Sequence, residues 1–252
     1  MGGYILRRLL WTPVLLVLVS FITYLLVYYG PGDPVEMLMR QYRDPEVVAR
    51  VREQLGLDKP LLVQYGIYIK NAVSGDFGES FKYRGQSVAG LIGKRIWVSS
   101  QLGLAGLILS LFLGVPTGLL AALKQGQWQD TLIISGALLF YSLPVFLIAP
   151  FLLIVFVLWL GILPSHGWGG LFDTRIIMPA LVLGIPGVAF IARMTRNSTV
   201  EVLAQDYVRT ARAKGLPEFM VQSRHVLRNS MIPVFTIIGL SLATLVTGTI
   251  IT

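Results

Sequence analysis

Long apolar stretches without a charged side chain dominate the chain and predict membrane-spanning helices. The first covers residues 9–29, close to the roughly 20 residues that a helix needs to cross the hydrocarbon core of a bilayer. It is longer than the core of a cleavable signal peptide, and no small-residue cleavage site follows it. We predict five spans, at about residues 9–29, 98–123, 132–160, 176–195 and 230–252.

The composition supports a membrane protein that crosses the bilayer several times. Of the 252 residues, 54% are hydrophobic and 13% are charged, and the mean hydropathy is +0.70. A soluble domain carries about 25% charged residues. The net charge of +8 therefore does not indicate nucleic-acid binding, because basic residues in a membrane protein mark its cytoplasmic loops. The chain has no cysteine, which excludes disulfides and thiolate metal sites.

The first long polar segment, residues 30–97, predicts a small extracytoplasmic helical subdomain. It contains ten Lys/Arg and eight Asp/Glu residues, and loops longer than about 60 residues largely escape the positive-inside rule. We expect short helices at 44–55 and 61–72. The predicted domains are thus residues 1–29, with the first span, the subdomain 30–97, and a core of 98–252 that includes a cytoplasmic loop at 196–229.

The basic residues of the loops and the alternation of the spans across the membrane predict the same orientation. The segment 193–228 carries seven Lys/Arg and three acidic residues, which favours the cytoplasm. Counting spans from a cytoplasmic N-terminus also places that segment inside, together with the turn 124–130, and places loop 161–175 outside. The last apolar run ends without a polar flank, so we expect a sixth span, which these 252 residues do not include.

The polar segment between the last two spans predicts two short helices that meet at a corner. Ser198 and Glu201 have the spacing of a capping box and predict the start of the first helix. Gly215 predicts its end, because glycine accepts the left-handed conformation of a helix C-cap. Pro217 suits the start of a second helix that runs to about Arg228. The first helix has an apolar face and a basic C-terminal half, which favours docking onto another protein.

The predicted spans contain few side chains that could take part in catalysis, ion coupling or ligand binding. None holds a charged residue deep in its apolar run, which argues against ion-coupled transport. Gly114 and Gly118 have the spacing of close helix packing, and Pro144 and Pro186 predict kinks. No phosphate-binding loop is present, and the two histidines are far apart in sequence. We therefore predict no catalytic, cofactor-binding or metal-binding residue in this chain.

The segment 206–216, Asp-Tyr-Val-Arg-Thr-Ala-Arg-Ala-Lys-Gly-Leu, resembles the cytoplasmic EAA loop of binding-protein-dependent ABC transporter permeases. It is closest to the dipeptide, oligopeptide and nickel importer variant, first permease subunit type. Residues 31–34, 55–60, 75–80 and 141–146 resemble the same subfamily. Arg209, Thr210 and Ala211 replace the Glu-Ala-Ala of the wider family, and Arg228 replaces its later proline; the peptide subfamily shares both departures.

The resemblance implies an all-α bundle of the type I ABC importer permease kind, in a bacterial or archaeal inner membrane. It implies a second homologous permease, two ATP-binding cassette subunits, an extracytoplasmic solute-binding protein and surrounding lipid as partners, with no nucleic acid. ATP and Mg²⁺ would bind the cassette subunits and no cofactor would bind this chain. The loop would be the coupling helix for the ATPase, through Asp206, Tyr207, Arg209, Thr210, Ala211, Arg212, Ala213, Lys214, Gly215 and Leu216.

Two other functions stay open from the residues alone: a stand-alone secondary carrier or channel, and a membrane scaffold without transport. The carrier would need polar or charged groups in its spans. The substrate of an importer also stays open, since dipeptides, longer peptides, nickel chelates, glutathione and oligosaccharides are all handled by relatives.

Overall fold

The computed structural model describes residues 2–30, 49, 52–53, 56–80, 83 and 85–245. The described part is helical, with a single isolated bridge between Glu79 and Ser87. It forms two compact units, Met1–Gly93 and Lys94–Thr252. The helices are α1 (Gly2–Tyr28), α2 (Leu61–Val73), α3 (Val88–Leu123), α4 (Trp128–Ser142), α5 (Val145–Trp159), α6 (Ile177–Leu203), α7 (Asp206–Ala213), α8 (Glu218–Ser230) and α9 (Ile232–Leu245).

Helices α1, α3 and α6 are each long and apolar enough to cross a membrane. Two bent pairs could add a span each: α4 with α5, bent by 101°, and α8 with α9, bent by 42°. By length and composition the described residues therefore offer three to five spans, in agreement with the predicted polytopic helical bundle. The predicted helix at 61–72 is confirmed as α2, whereas the one predicted at 44–55 lies mostly outside the described residues.

The predicted span at 132–160 is not one straight helix. It breaks at Leu143 and Pro144, between α4 and α5. Leu143 has an extended backbone (φ −75°, ψ 125°), because the ring of a following proline disfavours the helical conformation. Pro144 then occupies the N-cap position of α5. Pro186, in contrast, lies inside α6, which continues through it.

The helix start predicted at Ser198 is wrong. Helix α6 continues through Ser198 to Leu203, and the next helix begins at Asp206. Thr195 and Thr199 are fully buried, so the packed face of α6 extends into the segment that resembled a capping box. Tertiary packing thus overrides the local start signal.

Helix α6 lies at the centre of the second unit. Near its N-terminus, Met178 and Val182 pack with Ile148 and Leu152 of α5. Further along, Ile191 packs with Met231 and with Val234 of α9. Burial of apolar side chains of this size contributes about 1.5–3 kcal/mol each. Because α6 contributes residues to both apolar clusters, it connects them.

Small residues at every fourth position of α3 allow α3 and α6 to approach closely. A Cβ atom added to Gly114 would lie 2.8 Å from Cβ of Ile191, and one added to Gly118 would overlap the carbonyl oxygen of Ala192. The stripe extends back through Ser110 and Gly106, both buried. The Ser110 hydroxyl donates to the Gly106 carbonyl (2.7 Å) and lies 3.1 Å from the Gly184 carbonyl on α6.

Candidate functional site

Helix α7, a tight corner and α8 form the site that the sequence singles out. Helix α7 ends at Ala213, Lys214 is its C-cap residue, and Gly215 follows with φ +76°. The Leu216 amide donates to the Ala211 carbonyl (3.4 Å) and the Gly215 amide to the Arg212 carbonyl (2.9 Å), the two bonds of a Schellman cap. Helix α8 then begins at Glu218. The predicted end at Gly215 and the predicted second helix are confirmed.

An apolar cluster holds α7 against α8. Val208 and Ala211 of α7 are buried with Val221 and Val226 of α8. Partly buried residues surround them: Val202, Leu203 and Leu216. One face of α7 is therefore fixed to the rest of the chain, and Ala211, predicted among the coupling residues, lies on this buried face.

Polar contacts connect the same two helices around the cluster. The Arg212 guanidinium donates two hydrogen bonds to the Glu218 carboxylate, at 3.1 and 2.8 Å, and these bonds raise the pKa of Arg212 above its ordinary value. The amide nitrogen of Asn229 donates to the Tyr207 hydroxyl (2.9 Å). Each exposed contact contributes little stability, but together they fix the angle between α7 and α8.

The opposite face of α7 is exposed and polar. The side chains of Asp206 and Arg209 are 95% and 71% exposed, and their mutual ion pair at 3.3 Å lies on the surface. Phe219, in the first turn of α8, is 83% exposed. Thr210, Ala213, Lys214 and Gly215, also predicted as coupling residues, are exposed as well, and Leu216 is half-buried. Tyr207 and Arg212 are exposed beside their contacts with α8. Sequence reasoning missed Phe219, although an isolated aromatic residue beside the corner was a usable signal.

A second feature missed from the sequence connects α4 to the end of α6. Arg196 donates two hydrogen bonds to the Asp130 carboxylate, at 3.1 and 2.8 Å, and the Gly126 amide donates to the same carboxylate (3.1 Å). The Asp130 side chain is 8% exposed and that of Arg196 25%. The predicted topology placed both residues at cytoplasmic ends, so their opposite charges were the available signal.

The described residues contain no group of three or more His, Asp or Glu side chains that could hold a metal ion. The arrangement around α7 has features found at protein-docking surfaces: a buried underside and an exposed face with charges and two aromatic side chains, Tyr207 and Phe219.

Comparisons with known proteins agree with these observations. Residues 114–252 match the family described as binding-protein-dependent transport system inner membrane component, and residues 1–101 match its N-terminal membrane component. The glutathione transport system permease protein of Shigella flexneri is 40% identical over an alignment that covers 100% of this chain and 81% of that protein.

Two further relatives match this chain over nearly its whole length. The oligopeptide transport system permease protein of Haemophilus influenzae is 39% identical over 98% of this chain and 80% of its own length. A probable peptide ABC transporter permease protein of Sinorhizobium fredii is 36% identical over 100% of this chain and 82% of its own length. The chain therefore belongs to the family of binding-protein-dependent transport system inner membrane components, as a multi-pass transmembrane permease subunit of an ABC importer.

Proposed function

We propose that this permease receives the motion of a cytoplasmic ATPase through the exposed face of α7 and the corner at Gly215. The observation that carries the proposal is the asymmetry of α7. Val208 and Ala211 are buried against α8, whereas Asp206 and Arg209 are exposed. A force applied to the exposed face would move α7, α8 and the end of α6 together, because the underside is packed.

The proposed assembly contains two permeases, this chain and a homologous one, which together enclose the translocation pathway. Two ATP-binding cassette subunits bind and hydrolyse ATP, and this chain is not itself an enzyme. An extracytoplasmic binding protein delivers the solute. ATP binding then shifts the permease pair between inward-open and outward-open states, two arrangements with different affinities for the partner subunits.

The proposed orientation places the N-terminus and α7 in the cytoplasm. The support is the excess of basic residues in the segment 193–228, which the positive-inside rule assigns to that side. The predicted division into residues 1–29, 30–97 and 98–252 remains part of this proposal, with the loop 196–229 as the ATPase contact.

The proposed substrates are peptides or similar small solutes. The support comes from the relatives, which are permeases of glutathione, oligopeptide and probable peptide transport systems. Within this class, the binding protein supplies most of the selectivity, so the exact peptide length belongs to that partner.

Site-directed crosslinking in the assembled transporter tests the docking and the orientation together. The chain has no cysteine, so Arg209→Cys gives a single reactive site on the exposed face of α7. We expect it to crosslink to the cassette subunit and to react with an impermeant maleimide only after the cell is permeabilised. Ser165→Cys, in the exposed segment between α5 and α6, is the matched control, and we expect it to react from outside without crosslinking.

Two results would overturn the proposal. One is labelling of Arg209→Cys from outside the cell. The other is an assembled complex in which this cysteine never crosslinks to the ATPase. Uptake by the chain without any ATPase would instead support a stand-alone carrier.

A further inference from the structure

Helix α2 is apolar on almost every side, which is unusual for a helix in an extramembrane segment. Its only charged residue is Lys70, near its C-terminal end. Leu62, Val63 and Val73 are 71%, 48% and 84% exposed within the chain. A helix with apolar residues all round requires an apolar environment. The 13 residues of α2 extend about 20 Å, too short to cross a hydrocarbon core of about 30 Å.

The contacts of α2 with α1 place it at the depth of the bilayer interior. The Tyr65 hydroxyl donates to the Val17 carbonyl (2.8 Å) and lies 2.8 Å from Oγ of Ser20. The Tyr65 ring packs on Phe21 with centroids 4.9 Å apart. At 1.5 Å per residue, residues 17–24 lie within about 8 Å of the midpoint of the charge-free run 9–29. Half of the hydrocarbon core is about 15 Å.

The polar groups of α2 at this contact are paired, as hydrocarbon requires. Gln64 is 5% exposed. Its amide oxygen accepts from the Tyr24 hydroxyl (2.9 Å), and its amide nitrogen donates to the carbonyls of Leu57 (3.2 Å) and Lys59 (2.7 Å). The most polar side chain in the middle of α2 therefore has its hydrogen-bond partners within the chain, while Leu62 and Val63 stay exposed.

We propose that α2 is a re-entrant membrane helix, embedded in the leaflet at the C-terminal end of α1 with Leu62 and Val63 against lipid acyl chains. In the same half of α1, apolar side chains such as Ile22 and Leu26 are also exposed, as expected for a surface that faces lipid. Lys70 reaches the headgroups along its aliphatic stem. The helix anchors the segment after the first span to the membrane, and the role is independent of ATPase docking.

Spin-label accessibility in the complete transporter, reconstituted in phospholipid nanodiscs, tests this placement. The absence of native cysteine allows single nitroxide labels at Leu62→Cys and Val63→Cys, two exposed positions whose substitution leaves the α1 contact intact. We expect both labels to collide more with oxygen than with a water-soluble nickel chelate. Asp76→Cys, in the exposed segment after α2, should show the reverse order.

The same two labels separate lipid from a protein neighbour. If the Leu62 and Val63 labels were shielded from both oxygen and the nickel chelate, a partner subunit would cover α2, and the proposal would be overturned. Access of the nickel chelate to these labels would overturn it as well, because α2 would then lie in water.

Discussion

At the scale of single residues, Gly215 shows most directly how the sequence determines the site. Its φ of +76° belongs to the left-handed region, which costs a residue with a side chain roughly 1–2 kcal/mol. No atom lies within 4 Å of the position of an added Cβ. The requirement for glycine therefore comes from the backbone conformation alone, which is why the sequence was sufficient to predict the corner.

Gly215→Val should uncouple transport from ATP hydrolysis while leaving the chain in the membrane. The β-branched side chain disfavours the left-handed conformation, so α7 and α8 would meet at another angle. Gly215→Asn is the matched control, since asparagine adopts this conformation more readily. We expect uptake by proteoliposomes to fall strongly in the valine variant and little in the asparagine variant. Equal uptake by both variants would show that the corner does not transmit motion.

At the scale of helices, the charge-free runs predicted where α1, α3 and α6 lie, because length and hydropathy alone decide whether a helix can cross a bilayer. They did not predict the 101° bend between α4 and α5, since a proline alone does not specify the size of a bend. They also missed that α6 continues past Ser198. Thr195 and Thr199 are fully buried in this part of α6, and Thr195 lies against Gly118 of α3, which is distant in sequence.

Only half of the small residues that pack α3 against α6 were predicted, because the others depend on contacts distant in sequence. Gly114 and Gly118 were recognisable from their spacing, but Ser110 and Gly106 gained their role from Gly184 on α6. A pattern in one helix indicates that a close partner exists. The identity of the partner helix requires the tertiary structure.

Gly118→Ala should destabilise the permease although alanine favours helices. The new Cβ would overlap the Ala192 carbonyl and lie 2.8 Å from Cβ of Thr195, so α3 and α6 would have to separate. Such overpacking costs about 1–3 kcal/mol. Gly136→Ala in α4 is the matched control, because nothing lies within 4 Å of its added Cβ. In thermal unfolding of the detergent-solubilised complex, we expect a lower midpoint for Gly118→Ala and an unchanged or higher one for Gly136→Ala.

At the scale of the whole molecule, the proposed coupling requires that motion of α7 reaches the spans. Helix α7 follows α6 after two residues, Ala204 and Gln205, and α6 packs against α3, α5 and α9. The Arg196–Asp130 pair adds a polar connection from the end of α6 to α4. We infer that this pair keeps α4 and the end of α6 together when α7 is displaced.

Removing one partner of this pair should reduce coupling more than assembly. Arg196→Gln removes the positive charge and both guanidinium hydrogen bonds from the mostly buried Asp130 carboxylate, at a cost of about 1–3 kcal/mol. Arg196→Lys retains the charge but not the two parallel hydrogen bonds, so it should give an intermediate result. We expect the ratio of solute transported to ATP hydrolysed to fall in the order wild type, lysine, glutamine. If the glutamine variant assembled fully and kept the wild-type ratio, the pair would be a static contact, and motion would have to reach α4 through the apolar packing of α6 alone.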